Sequence, residues 1–313
     1  MKPSIITITL NPAIDKSSTI AALVPEKKLR CSQPVFQPGG GGVNVARAIH
    51  QLGGKALAIY LAGGYSGIFF KELLEKEGIP QLVIPIGGHT RENFIVTDLA
   101  QNRQYRFGMP GPRITEQEWK ALLQQLQQLE APDYIVVSGS MPAGAPTDML
   151  VQIARIARQK KARLVIDSAG QALKEVAGEG AFLLKPNLGE LSQLAGLQWI
   201  AANEVEAIAR RLLTDGLCEV LLISMGATGA MLVTMTETVQ ITPPQVERIS
   251  TVGAGDSLVA GMVWGLQNNY SLKEAARFGV ACGTAATLRP GTLLCTSKDA
   301  ERLYKETKAT VIT

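Results

Sequence analysis

Residues 251–257, with the sequence TVGAGDS, combine three features that phosphoryl transfer requires. Gly253 and Gly255 allow a sharp turn that exposes backbone N–H groups, and the positive end of the following helix points to the same place. Such a turn can bind the negatively charged phosphoryl group while it is being transferred. Asp256, at the predicted start of the helix, could accept the proton of an attacking hydroxyl. An Asp that only caps a helix after a glycine turn would give the same pattern.

A second polar pair lies in residues 185–190, with the sequence KPNLGE, directly after a predicted buried strand. Asn187 and Glu190 are three residues apart, at a strand end and in a first helical turn, so they face the same way. An amide and a carboxylate in this arrangement can hold the water shell of Mg²⁺, which binds through few protein groups. The same two residues can also cap the helix, and the pattern leaves both interpretations open.

A third segment, residues 36–48, has four consecutive glycines ahead of a predicted helix that carries Asn44. The glycines allow close backbone approach by a ligand, although a flexible hinge would have the same composition. The segment matches neither GxGxxG after a strand nor GxxxxGK[ST]. It therefore predicts neither a dinucleotide site nor a Walker-type phosphate site.

Alternating apolar strands and amphipathic helices are the elements that must position these segments. Short apolar runs are separated by helical patterns, as in residues 119–129, where apolar side chains recur at helical spacing. The runs that predict strands are residues 5–10, 134–138, 164–167, 182–184 and 220–224. This alternation predicts right-handed βαβ crossovers, and hence a doubly wound α/β fold with a mainly parallel sheet flanked by helices.

Two stretches break the alternation, at about residues 15–38 and 89–109. Both have irregular or alternating β patterns, and the second has a hairpin signature around the polar turn 101–103. We expect them to form a small β lid over the carboxyl ends of the parallel strands, where such sheets bind ligands. Ordinary surface hairpins are the alternative. The lid stretches carry the cations Lys28, Arg30 and Arg91, which are candidates for holding an anionic substrate.

Composition narrows the class of protein. The chain has 313 residues, 46% of them hydrophobic, and a formal charge of +4 without a basic run, so nucleic acid is not the expected partner. The N-terminal apolar run is interrupted by polar residues, and no segment approaches the ~20 apolar residues of a membrane span. We expect one cytoplasmic domain, residues 1–313, with a lid formed discontinuously.

These segments, in this order, resemble the ribokinase-like (PfkB-type) family of carbohydrate kinases over essentially the whole chain. The likeness rests on the Gly-Gly motif and following Asn at residues 39–44, the NxxE motif of Asn187 and Glu190, and the GAGD signature at 253–256. It implies a ribokinase-like fold and Mg-ATP-dependent phosphorylation of a sugar hydroxyl.

The resemblance also implies roles for single residues. Asp256 is the implied base, and Glu190 organises Mg²⁺ with Asn187. The implied anion hole consists of Gly253, Ala254 and Gly255. The implied nucleotide site contains Lys185, Asn187, Ser224, Gly226 and Gly229. The implied ligands of the sugar hydroxyls are Asp15, Gly40, Gly41 and Asn44. Some members bind K⁺ beside the anion hole, and the matching region contains Ser250, Val252, Ala286, Arg289 and Gly291.

Within the family the likeness is to the phosphosugar branch, through residues 28–42 and 90–92. It implies conversion of fructose 6-phosphate to fructose 1,6-bisphosphate, as in PfkB-type 6-phosphofructokinases. The opening residues 7–15 are equally similar to 1-phosphofructokinases and tagatose-6-phosphate kinases. A sheet edge on the lid favours a homodimer.

Two other functions fit the fold less well. A non-catalytic sugar-phosphate sensor would not need the intact GAGD signature. A dinucleotide-dependent dehydrogenase would need GxGxxG after its first strand, where this chain has Asn11-Pro12-Ala13.

Overall fold

The computed structural model describes residues 3–168 and 170–312. Within them, the strands lie in two separate sheets. The strands are β1 (Ile5–Thr9), β2 (Ala13–Ile20), β3 (Val35–Gly39), β4 (Leu57–Ala62), β5 (Gln81–Pro85), β6 (Arg91–Asp98), β7 (Arg103–Phe107), β8 (Tyr134–Ser138), β9 (Arg163–Asp167), β10 (Leu183–Leu184), β11 (Val220–Ser224), β12 (Ala230–Val233), β13 (Thr238–Thr242) and β14 (Lys308–Val311).

The larger sheet has ten strands in the order β14-β13-β12-β11-β10-β9-β8-β1-β4-β5. The pairs from β11 to β5 are all parallel, whereas β12, β13 and β14 join one edge as antiparallel strands. Because the central strands are buried on both faces, they have continuous apolar sequences. The predicted mainly parallel, doubly wound sheet is confirmed.

Helices cover both faces of this sheet. They are α1 (Gly41–Gln51), α2 (Gly64–Lys76), α3 (Glu116–Gln128), α4 (Met149–Gln159), α5 (Gln171–Glu175), α6 (Leu188–Ala195), α7 (Val205–Thr214), α8 (Ala254–Gln267), α9 (Leu272–Thr287) and α10 (Ser297–Glu306). Helices α1, α2, α8, α9 and α10 pack into one apolar core, and α3 to α7 pack into the other. No helix of the described residues is both long and apolar enough to cross a bilayer.

The smaller sheet has four strands in the order β3-β2-β6-β7. The two stretches that interrupt the α/β alternation supply all four. Strands β6 and β7 form the hairpin that the turn at 101–103 indicated, and β2 and β6 pair in parallel. Residues 21–34, which connect β2 to β3, contain no helix or strand. We refer to these four strands and the 21–34 connection as the lid sheet.

Helix α8 begins two residues earlier than the sequence indicated. Its first residue is Ala254, and Gly253 precedes it in the left-handed conformation, with φ of 72°. A glycine adopts this φ without steric cost, so the chain can turn at Gly253 and start the helix at once. Asp256 is therefore the third residue of the helix, within its first turn, rather than its first residue.

Candidate active site

Asp256 contacts another element rather than its own helix terminus. No side-chain hydrogen bond caps the start of α8. Instead, the amide Nδ2 of Asn44 on α1 donates to Asp256 Oδ2 at 2.9 Å. The interpretation of Asp256 as a simple helix cap is therefore wrong, and its carboxylate is oriented from across the site.

The surroundings of Asp256 favour a proton acceptor near neutral pH. Burial, together with the nearby carboxylate of Asp167, raises the pKa of Asp256 to about 7, even though the hydrogen bond from Asn44 and the charge of Lys185 act against this rise. A general base works best with a pKa close to the working pH. The turn at 253–255 and the helix terminus lie beside this carboxylate, so a proton acceptor and N–H groups that can hold an anion lie in one place.

Asp167 is a site residue that the sequence analysis did not single out. It ends β9, and its Oδ1 lies 3.0 Å from Nζ of Lys185, with both side chains largely buried. Burial lowers the pKa of Lys185, but the neighbouring carboxylates, chiefly Asp167 with smaller effects from Glu190 and Asp256, together raise the pKa overall. The sequence did place an acidic residue at the carboxyl end of a predicted strand. Its role in the site became visible only when the structure placed Lys185 beside it.

Asp15 lies on the lid sheet, where Asn93 Nδ2 donates to its Oδ1 at 2.9 Å. Burial raises the pKa of Asp15, and the bond from Asn93 and the charge of Arg91 partly offset that rise. Gly39 on the neighbouring strand leaves room for this carboxylate, since a Cβ at that position would lie 2.4 Å from Asp15 Oδ2. Asn93 is a second residue that sequence reasoning missed.

Arg91 is the predicted lid cation that lies beside Asp15. Its Nη2 donates to the carbonyl of Asn11 at 3.0 Å and its Nη1 to that of Met109 at 3.2 Å. Its Nε is buried and has no partner among the described residues, so the guanidinium retains a free donor. Lys28 and Arg30 instead lie exposed in the 21–34 connection, and neither belongs to the described hydrogen-bond network around Asp15. A shared phosphate contact of the three cations therefore stays a prediction.

The glycines before α1 allow this helix to pack closely against the end of the parallel sheet. Gly40 caps α1 with φ of 109°. A Cβ on Gly41 would lie 2.1 Å from the hydroxyl of Ser138 on β8. The α1 terminus therefore sits directly against the end of the parallel sheet, as close backbone approach requires.

A cleft of about 700 Å³ opens beside the turn at 253–255. The predicted residues that line it are Asn187, Ser224, Gly226, Gly229, Ala254 and Gly255. Lys185 lies at its inner end, since a Cβ on Gly255 would be 3.7 Å from Lys185 Nζ. The wall residues that sequence analysis missed are Pro243, Pro244, Gln245, Val246, Arg248, Leu258, Val280, Gly283, Thr284 and Thr287. They come from loops and helix faces without a motif.

Asn187 and Glu190 form a reciprocal helix cap. Glu190 Oε2 accepts from the Asn187 backbone N–H at 2.8 Å, and Asn187 Oδ1 accepts from that of Glu190 at 2.9 Å. The capping interpretation is confirmed. The pair also fits a Mg²⁺ held through water, because the other Glu190 carboxylate oxygen takes no part in the cap. No cluster of three or more His, Cys, Asp or Glu able to hold a metal occurs among the described residues.

The residues matched to a K⁺ site come from two neighbouring segments, which are the loop at 250–252 and the last turn of α9 with the loop that follows it. The hydroxyl of Ser250 donates to the carbonyl of Gly291 at 2.9 Å and accepts from the N–H of Val252 at 3.2 Å. The N–H of Arg289 donates to the carbonyl of Ala286 at 3.1 Å. The carbonyl of Gly291 therefore lies next to the segment that leads into the turn at 253–255, and oxygen is the ligand that hard cations require.

A doubly wound α/β fold, with a carboxylate in the first turn of a glycine-led helix beside a cleft of ligand size, defines a phosphoryl-transfer enzyme. Residues 4–299 match the pfkB family of carbohydrate kinases, and the chain belongs to this family. The predicted ribokinase-like fold and kinase class are confirmed.

The chain is 41% identical over 301 residues to the ATP-dependent 6-phosphofructokinase isozyme 2 of Escherichia coli K12, covering 96% of this chain and 97% of that protein. It is also similar to crystal structures of phosphofructokinase-2 from Escherichia coli. The complex with potassium has a TM-score of 0.93 and 41% identity, covering 97% of this chain and 99% of the other. The complex with fructose-6-phosphate has a TM-score of 0.91 and 40% identity, with the same coverage.

Proposed function

We propose that this protein is an ATP-dependent 6-phosphofructokinase, which converts fructose 6-phosphate and ATP to fructose 1,6-bisphosphate and ADP. The observation that carries the proposal is the position of Asp256, between the cleft at 224–229 and the polar wall of Asp15, Asn44 and Arg91. A similar protein of that activity, aligned over nearly the whole chain, supports it.

In the proposed reaction Asp256 accepts the proton of the sugar's C1 hydroxyl as its oxygen attacks the γ-phosphorus. The new O–P bond forms while the bond from the γ-phosphorus to the bridging oxygen of ADP breaks. The backbone N–H groups of Gly253, Ala254 and Gly255 bind the oxygens of the moving phosphoryl group. Lys185, held by Asp167 at 3.0 Å, adds positive charge on the nucleotide side. Asp15, Gly40, Gly41 and Asn44 orient the sugar hydroxyls.

Two cations belong to this proposal. Mg²⁺, held through water by Asn187 and Glu190, would neutralise charge on the ATP phosphates. K⁺ would bind to oxygens of two neighbouring segments: the loop that contains Ser250 and Val252, and the end of α9 with its following loop, which contain Ala286, Arg289 and Gly291. The potassium complex of the similar Escherichia coli protein supports this second assignment.

The lid sheet has two further proposed roles. It covers the sugar, with Lys28 and Arg30 closing over the substrate phosphate from the 21–34 connection, and its edges pair two subunits in a homodimer. Exposed apolar side chains on edge strands β3 and β7, Val35 at 57% and Phe107 at 44%, support the pairing because a second copy would cover them. Sedimentation of the free protein tests this assembly, and a monomer at micromolar concentration would contradict it.

The substrate assignment is tested by a panel of acceptors with Mg-ATP, followed through release of ADP. The panel contains fructose 6-phosphate, tagatose 6-phosphate, fructose 1-phosphate, fructose and ribose. We expect fructose 6-phosphate to have the highest kcat/KM and tagatose 6-phosphate to follow, since they differ in configuration at C4. Preference for fructose 1-phosphate would reassign the protein within the phosphosugar branch. Preference for an unphosphorylated sugar would overturn the phosphosugar assignment.

A further inference from the structure

Arg47 is a buried cation on α1 that no step described so far uses. Only 2% of it is exposed. Its Nε and Nη2 donate to the two carboxylate oxygens of Glu77 at 2.7 and 2.8 Å. Its Nη1 donates to the carbonyl of Pro38 at 2.8 Å and to Oδ1 of Asn44 at 3.2 Å. One guanidinium therefore joins the end of α2, the end of β3 and the side chain that contacts Asp256.

The bond to Asn44 determines which way its amide points. A guanidinium can only donate hydrogen bonds, so the oxygen of the amide must face Arg47. The NH₂ group then faces Asp256, where it donates at 2.9 Å. A flipped amide would turn its oxygen toward the Asp256 carboxylate and its NH₂ group toward the Arg47 guanidinium, so that neither hydrogen bond could form. Arg47 thus excludes the orientation that would repel the carboxylate.

The hydrogen bond from Arg47 to the Pro38 carbonyl fixes the backbone beside a second carboxylate, that of Asp15. Pro38 and Gly39 end β3, and Gly39 packs directly against Asp15. Holding the Pro38 carbonyl fixes this backbone close to the Asp15 side chain. The ion pair with Glu77 offsets the cost of burying Arg47, because a buried guanidinium without a counter-charge is strongly destabilising.

We propose that Arg47 is a positioning residue for phosphoryl transfer, which orients the Asn44 amide and, through it, the proton-accepting carboxylate of Asp256. This inference rests on the proposed role of Asp256 as the base. Arg47 is bonded to Asn44 and not to Asp256 itself, so its effect on the reaction passes through the amide.

Other charged groups around Asp256 must be accounted for in a test by titration. They are Asp167 on β9, Lys185 after β10 and Asp15 on β2. The hydrogen bond from Asn44 lowers the pKa of Asp256 against the effect of burial. A change at Arg47 leaves Asp167 and Lys185 in place. A shift in the titration midpoint of Asp256 then shows whether the Asn44 amide still donates its hydrogen bond.

The test variant is Arg47→Lys, because a lysine keeps a positive charge for Glu77 but has three donors on one nitrogen, whereas the guanidinium donates four hydrogen bonds from three separate nitrogens. The ¹³C signal of the Asp256 carboxyl is titrated in the free protein, a readout that needs no substrate. We expect the midpoint to rise by about half to one pH unit, as the loss of one hydrogen bond to a carboxylate implies. The KM for the preferred sugar should rise several-fold, measured with whichever acceptor the wild type uses best.

Two further variants separate positioning from stability. Glu77→Gln weakens the ion pair but keeps Arg47 beside Asn44, so it should lower the melting temperature without moving the Asp256 midpoint. Asn44→Ala should raise that midpoint, and Arg47→Lys/Asn44→Ala should raise it no further, since both changes remove the same hydrogen bond. If Arg47→Lys does not fold, Arg47→Gln replaces it in this cycle.

A midpoint unchanged in Arg47→Lys, with only a lower melting temperature, would show that Arg47 is merely structural and overturn the proposal. Additive shifts in the double variant would overturn it as well. Failure of the protein to phosphorylate any sugar would defeat the proposed function, while the titration would still decide whether Arg47 orients Asn44.

Discussion

The two sides of Asp256 are built in different ways. On the proposed sugar side, charged and amide side chains of the lid sheet and of helix α1 bond to one another, as in the contacts of Asp15 with Asn93 and of Asn44 with Arg47. On the nucleotide side, the 700 Å³ cleft is lined largely by glycines, small residues and apolar side chains. One wall depends on side-chain chemistry, and the other depends mainly on shape and backbone.

This difference indicates where each side obtains its selectivity. Buried polar side chains must keep their partners, since an unpaired buried group costs about 1–3 kcal/mol. The sugar side is therefore sensitive to single substitutions that leave the fold intact. Backbone donors and shape are unaffected by most side-chain changes. We expect substitutions on the nucleotide side to have smaller effects, and three variants test this contrast.

The largest effect is expected at the boundary of the two sides. Asp256→Asn removes the proton acceptor and keeps the size and hydrogen bonding of the side chain, so kcat should fall by ~10²–10⁴. Steady-state kinetics should show little change in the KM for the sugar. A variant that retains more than about a tenth of the wild-type kcat would identify another group as the base.

The same variant also tests how burial of Asp256 makes the stability of the protein depend on pH. Burial raises the pKa of Asp256 to about 7, so the folded protein binds this proton more tightly than the unfolded chain does. The stability that this proton contributes is present below about pH 4 and is lost as the pH rises through 7. Asp256→Asn should therefore unfold at a temperature a few degrees above that of the wild type at pH 8, and the difference should vanish near pH 4. A lower melting temperature at pH 8 would contradict the burial argument.

The next effect is expected on the sugar side at Arg91. A phosphate bound by this guanidinium forms charge-assisted hydrogen bonds, each worth roughly 1.5–3 kcal/mol. Arg91→Ala should therefore lower kcat/KM for the phosphosugar by about tenfold or more. Arg103→Ala, which removes an exposed cation from the same sheet, is the matched control and should leave kcat/KM nearly unchanged. Equal losses in the two variants would indicate a general charge effect instead of a phosphate contact.

The smallest effect is expected on the nucleotide side at Glu190. Glu190→Gln keeps an oxygen for the helix cap but loses the negative charge, so the Mg²⁺ concentration for half-maximal rate should rise several-fold. Glu118→Gln is the matched control, because Glu118 forms a capping box with Thr115 on α3. If both variants lose only thermal stability and keep the wild-type Mg²⁺ dependence, Glu190 acts as a cap alone.

Local sequence patterns were sufficient for much of the fold. Strands of continuous apolar residues and helices of period 3.6 identified the parallel sheet, because burial on two faces or on one stripe leaves a direct imprint on the sequence. The turn at 101–103 likewise marked the hairpin of β6 and β7. The start of α8 was misplaced by two residues because the left-handed Gly253 ends its turn earlier than the motif suggests.

The sequence by itself determined the α/β alternation, the glycine-rich turns and the candidates Asp256, Asn187 and Glu190, all of which depend on short spacing along the chain. Only the tertiary structure decided which side chains meet. Asn44 and Asp256 are 212 positions apart, and their contact exists because α1 and α8 lie on the same face of the sheet. The pairing of Asp167 with Lys185 likewise follows from the adjacency of β9 and β10. Such contacts follow from strand order and helix packing, which the local sequence pattern does not encode.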